Sequence, residues 1–96
     1  MNVKLIRMWS GEDVVADVVK ETEDSVTIVN PIVAVPSGQE NIAFAPWSPI
    51  LKGDSTPIEV TKKYIVYISE TQEEIIEQYN QMYAPVATPP KKRLIL

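Results

Sequence analysis

The sequence predicts a small, mainly β fold: a barrel of short strands followed by one C-terminal α-helix. Three observations carry this reading. Runs of β-branched and aromatic residues recur through the first 69 positions, separated by short turn-forming breaks. After Ser69 the apolar period changes to steps of three and four. At 96 residues the chain fits one domain, burying about two-thirds of its unfolded surface.

The opening run VKLIRM sets Val3, Leu5 and Arg7 against Lys4, Ile6 and Met8, a strand buried on part of both faces. Ser10-Gly11 ends it as a turn, because glycine takes a positive φ without steric penalty. VVADVV opposes Val15, Asp17 and Val19 to Val14, Ala16 and Val18, and predicts a second strand. After the charged break KETEDS comes the long run VTIVNPIVAV, interrupted by Asn30-Pro31. Proline cannot donate to a ladder, so a bend or bulge is expected there, letting one strand serve two regions of a curved sheet. PSGQEN is the next turn, IAFAPWSPIL is extended up to its prolines Pro46 and Pro49, and KGDSTP is a loop. IEV is a short extended piece, TKKY suits one tight 3-10 turn, and IVYIS completes the β portion.

Thr71 with Glu74 fits a helix capping box, and Glu73 and Glu74 suit the positive end of the helix dipole. Ile75, Ile76, Tyr79, Met82 and Tyr83 form one apolar stripe, expected to dock on the chain's own barrel. The helix ends before Pro85. The organisation is therefore a barrel over 1–69, a helix over 70–84 and a proline-rich basic tail over 85–96. That tail, ending KKRLIL, reads as a disordered end, as a basic arm for nucleic acid, or, through Leu94, Ile95 and Leu96, as a segment for a neighbouring subunit.

Composition narrows the chemistry. With 45% apolar and 23% charged residues, the chain is of ordinary globular type rather than disordered. It has no cysteine and no histidine, which removes disulfides, thiol nucleophiles, imidazole bases and the zinc sites built from them. No apolar run approaches membrane-spanning length and the start is unlike a signal peptide, so the expected compartment is the cytoplasm. A net charge of −4 argues against general nucleic-acid affinity, so any polyanion contact has to be local. Glu12, Asp13 and Asp17 are the tightest carboxylate group and suit acid–base work or a hard cation, but solvated hairpin carboxylates are far commoner. No base accompanies any serine, and the glycines, at 11, 38 and 53, make no phosphate cradle. The reading is a non-enzyme with no cofactor and no metal.

The order of strands resembles the Sm-like family. LIRMWSGEDVVADVVKETEDSVTIVNP, residues 5–31, is similar to the first Sm motif: an apolar strand, a turn glycine at Gly11, an apolar pair, a small residue at Ala16 and a charged bend before a third strand. IEVTKKYIVYIS, residues 58–69, is similar to the second motif. With NIAFAPWSPI and the helix EEIIEQYNQMY, the chain looks like the Sm-like proteins of cyanophages and marine metagenomes. The resemblance implies a strongly bent five-stranded sheet closed into an SH3-like barrel. It also implies a homo-oligomeric ring, of five subunits by the phage-type likeness although six and seven occur in the family, and host cytoplasm if phage-encoded.

In that family the fourth strand of one subunit pairs with the fifth of the next, which makes Phe44, Trp47, Ile65, Val66, Tyr67 and Ile68 the implied subunit interface. Single-stranded RNA binding or an RNA-chaperone role is implied at Thr27, Thr61, Lys62 and Lys63. Here the sequence departs from the pattern. Glu23 and Thr27 stand where the first motif carries aspartate and asparagine, and Thr61 and Lys62 where the second carries arginine and glycine. Threonine lacks the amide that reads a base edge, and losing arginine removes a planar, forked cation; Lys62 and Lys63 keep positive charge. The alternative is a structural or protein-interaction ring that binds no RNA. Trp47 reads as a base-stacking platform or, by preference, as an anchor of the bent fourth strand or of the seam. Trp9 reads as a core or rim residue.

Overall fold

The computed structural model describes residues 1–36, 38, 42–47 and 56–83, and among them the chain is mainly β, an antiparallel six-stranded sheet with one helix after it. The strands are β1 (Val3–Met8), β2 (Asp13–Glu21), β3 (Ser25–Pro36), β4 (Ile42–Pro46), β5 (Ile58–Thr61) and β6 (Ile65–Ser69). A 3-10 turn, Lys62–Tyr64, joins the last two strands as TKKY predicts, and α1 is Glu73–Tyr83. The sheet order is β4-β3-β2-β1-β6, with β5 also on β3. The predicted tail over 85–96 lies outside the described residues, as do most of the turn PSGQEN and the loop KGDSTP.

Six strands stand where the resemblance implies five. The reason is the length of β3, 12 residues. Its edge away from β2 carries two short strands in succession: Ile32–Pro36 pair with β4, and Ser25–Ile28 pair with β5. IAFAP and IEV thus share one position in the sheet. Among the described residues no ladder joins β6 to β4 or β5, so the sheet is open at its ends.

The expected bulge is at Asn30-Pro31. Val15 pairs with Ile32 and Asp17 with Val29, which leaves Asn30 and Pro31 together opposite Ala16. Asn30 takes φ 50°, a left-handed conformation that asparagine tolerates better than most side chains. The extra residue reverses the alternation along β3: Val26 and Ile28 enter one core, and Ile32 enters another.

The first core unites Ile6, Met8, Val14, Ala16, Val18, Val26 and Ile28, with Ile58, Val60, Ile65, Ile68 and Trp47 packed against it. The second lies on the opposite face of the sheet. Val3, Val15 and Ile32 are covered there by Tyr79 of α1, flanked by Ile75, Ile76 and Tyr83. Adjacent residues Val14 and Val15 are both buried because each face of β2 has its own cover.

The helix docks on its own sheet, as its stripe predicts, with two differences. Its first bonds run from the Ile75 and Ile76 amides to the Gln72 carbonyl, so Gln72 is the cap and Thr71 stands one residue too early for the predicted box with Glu74. Met82 is 48% exposed and falls off the stripe. Packing of Ile75, Ile76, Tyr79 and Tyr83, rather than the cap, sets where the helix lies.

Between β1 and β2 the Gly11 amide donates to the Met8 carbonyl at 2.8 Å, and the Met8 amide donates to the Glu12 carbonyl at 2.9 Å. Gly11 holds φ 94° in this turn, although nothing crowds an added Cβ. Gly11→Ala is therefore expected to lose about 1–2 kcal/mol through backbone strain alone. A lower urea midpoint with an unchanged slope is the measurement that checks it.

Candidate functional site

The 3-10 turn brings the implied nucleic-acid residues together only in part. Thr61, Lys62 and Lys63 line one surface concavity of about 560 Å³ with Glu23 and Asp24. Thr27 is not in its lining; it sits on β3 paired with Glu59. Thr61 caps the turn, its Oγ1 accepting the Lys63 amide at 3.4 Å, and the Lys62 amide donates to the Asp24 carbonyl at 2.8 Å. The backbone of the β2–β3 bend is thereby tied to the turn before β6.

Electrostatics at this concavity are mixed. The Lys62 ammonium donates to Glu21 Oε2 at 2.8 Å, and Glu23 and Asp24 face the same space. Lys62 is thus paired with Glu21, whereas Lys63 is exposed and its ammonium has no ion-pair partner among the described residues.

The implied seam residues divide into two groups. Ile65 and Ile68 turn into the first core, where Ile68 pairs with Ile6 and Ile65 with Met8. Register shifts between Arg7 and Met8, so Val66 has no partner on β1. Val66 is 53% exposed and Tyr67 44% exposed. A shallow groove of about 310 Å³ runs along this strand, walled by Glu21 and Lys62. Phe44 packs into the second core and Trp47 against the first. The Trp47 amide donates to the Pro31 carbonyl at 3.1 Å, and its Nε1 donates to Glu12 Oε1 at 3.2 Å. Both aromatics thus anchor the region after the bulge. Trp9 is 69% exposed at the rim, its amide donating to the Tyr64 carbonyl at 2.9 Å.

The three carboxylates of the β1–β2 hairpin do not converge on one centre. Asp13 takes the Arg7 guanidinium at 2.5 and 3.2 Å, which holds Arg7 still more firmly in its charged form. Asp17 Oδ1 accepts the Asn2 amide at 2.8 Å, and Glu12 accepts Ser10 Oγ at 2.8 Å besides Trp47. Each is spent on a separate contact that fixes the hairpin or its surroundings.

Sequence reasoning missed the role of Tyr79. Its side chain is fully buried, and its hydroxyl donates toward the Val29 and Asn30 carbonyls, each at 3.0 Å, while accepting the Asp17 amide at 3.1 Å. These are backbone groups at and beside the bulge in the β2–β3 ladder. The phenol is pushed well above its ordinary range, burial being the main cause. Tyr83 packs beside it with ring centroids 4.9 Å apart. The stripe marked Tyr79 as a docking residue, and Asn30-Pro31 marked the bulge, but no spacing joins the two.

No helix among the described residues is long and apolar enough to cross a membrane. Neither a protein-family model nor a curated protein matches this chain.

Proposed function

We propose that this chain is a non-enzymatic, Sm-like subunit that completes its SH3-like barrel and closes into a homo-oligomeric ring, in which the Lys62–Lys63 turn meets single-stranded RNA. One observation carries the assembly: among the described residues the sheet ends at β6 on one side and at the β4 and β5 position on the other, and β6 is apolar. Unpaired edges of this kind are usually blunted by lysine, proline or a covering segment. Val66 and Tyr67 are exposed and carry neither charge nor proline. Opposite ends of one sheet make a head-to-tail contact, which yields a ring when the rotation between neighbours closes. Five subunits is the number expected.

RNA is the ligand because Lys63, exposed and without an ion-pair partner among the described residues, stands at a turn whose concavity also holds Thr61 and Lys62. A second reading, an interaction ring that takes no RNA, is favoured by the Lys62–Glu21 pair and by Glu23 and Asp24 beside it. Titration of the assembled protein with short labelled single-stranded RNA at low and moderate salt separates them. Salt-sensitive binding is expected, with Lys63→Ala reducing the logarithmic salt slope by about 0.7 for each phosphate that the lysine neutralises. Absence of salt-sensitive binding selects the interaction ring.

A further inference from the structure

The second core leaves a cleft of about 480 Å³ between the start of α1 and the sheet. Its floor is apolar, formed by Leu5, Val15, Ile42, Phe44 and Ile75, and Glu70 and Gln72 stand at its rim. Ile42 is 49% exposed, an apolar side chain open to water beside that floor. The cleft is unrelated to the Lys62–Lys63 turn and to the free edge of β6.

Charge and chain length indicate what fills it. Lys91, Lys92 and Arg93 supply three positive charges to a chain whose net charge is −4, so residues 1–90 carry −7. Much of that excess lines α1, which has Glu73, Glu74 and Glu77 exposed and no basic residue. None of these three has an ion-pair partner among the described residues, whereas Glu70 is tied to Lys4 and Asp13, also in the lining, to Arg7. The sequence after Tyr83 starts at the far end of an 11-residue helix. Returning to the cleft requires about 16 Å. A proline-rich segment advances about 3.1 Å per residue, so Lys91 can lie about 25 Å from Tyr83. The basic run can therefore come alongside the acidic helix, with Leu94, Ile95 and Leu96 delivered to the apolar floor.

We propose that this cleft is the docking site of the chain's own C-terminal segment, Lys91–Leu96, returning antiparallel to α1. The three basic residues neutralise Glu73, Glu74 and Glu77, and the apolar triplet covers Ile42 and Phe44. This stands apart from the ring reading, since it needs one subunit only.

The chain has no cysteine, so Pro90→Cys places a single nitroxide label in the full-length protein. Loss of the Ile42, Phe44 and Ile75 amide signals through paramagnetic relaxation is expected, and the loss should fade at high salt. Ile42→Lys, at a half-exposed position that the fold tolerates, is expected to restore the Phe44 and Ile75 signals. Unaffected signals in the labelled protein overturn the proposal, as does a loss that persists in Ile42→Lys. A sample mixing isotope-labelled chains with separate nitroxide-labelled chains tests the source of the segment. Signal loss there as strong as in the singly labelled protein means that a neighbour's tail fills the cleft and overturns the assignment to the chain's own; full signals there support it.

Discussion

Tyr79→Phe is expected to lower the unfolding free energy by about 1–3 kcal/mol, although it removes a single oxygen. The ring remains and its packing against Val3, Val15 and Ile32 is preserved. What disappears is the partner of the Asp17 amide and of the Val29 and Asn30 carbonyls. These groups lie beside the bulge, so the hydroxyl ties β2 to β3 where their register shifts. Tyr79→Ala removes the ring as well and should cost about 3–5 kcal/mol, the range for a large buried aromatic. Chemical denaturation of the three proteins checks the order, and faster exchange of the Asp17 amide in the Phe variant locates the damage. A Phe variant as stable as the parent would mean that the bulge holds itself.

The same hydroxyl gives an alkaline signature. Folding raises the phenol's pKa, so it favours the protonated form. An unfolded tyrosine titrates near pH 10, and the folded one above that. The contribution from Tyr79 is therefore fully present below about pH 10 and is lost as pH climbs toward the folded value. Stability of the parent should fall in that window more steeply than that of the Phe variant, which has no proton to lose at this position.

What could be read from the sequence follows from how local its cause is. The strands, the turn at Gly11, the bulge at Asn30-Pro31 and the 3-10 turn are all determined by neighbours in the chain, and each is found where its residues place it. The helix period predicted docking for the same reason. The residues alone allow five or six strands, and the six runs are found; the five that the resemblance implies became six because β4 and β5 share an edge of β3, which depends on the length of a strand distant from both. The Thr71 capping box failed because packing of the stripe fixed the helix start at Gln72. At the candidate site, the adjacency of Thr61, Lys62 and Lys63 was legible as sequence. The Glu21 partner of Lys62 was not, since it comes from a strand 41 residues earlier. Tyr79 and Asn30 are 49 residues apart and meet only through the curvature that each helps to create.

In the proposed ring, Val66→Lys is expected to separate the subunits into single chains without unfolding them. Val66 belongs to neither core and lies at the register shift of β6, so a charge there meets water in the isolated subunit. In a ring it meets the neighbouring subunit's strand. Burying a valine side chain contributes about 1.5–3 kcal/mol. A desolvated ammonium adds a penalty of its own unless it finds a partner. Because every subunit presents the same edge, the loss recurs at every seam, and a modest change at one position acts on closure as a multiple of itself. Val66→Ile keeps the apolar edge and should leave assembly intact. Ile68→Lys is no substitute, since Ile68 packs against the first core and its replacement would unfold the subunit. Native mass measurement, with far-ultraviolet circular dichroism to confirm the fold, distinguishes the outcomes. An unchanged multimer in Val66→Lys moves the seam away from β6, whereas a parent protein that is itself monomeric removes the ring and leaves β6 as the open edge of a solitary sheet.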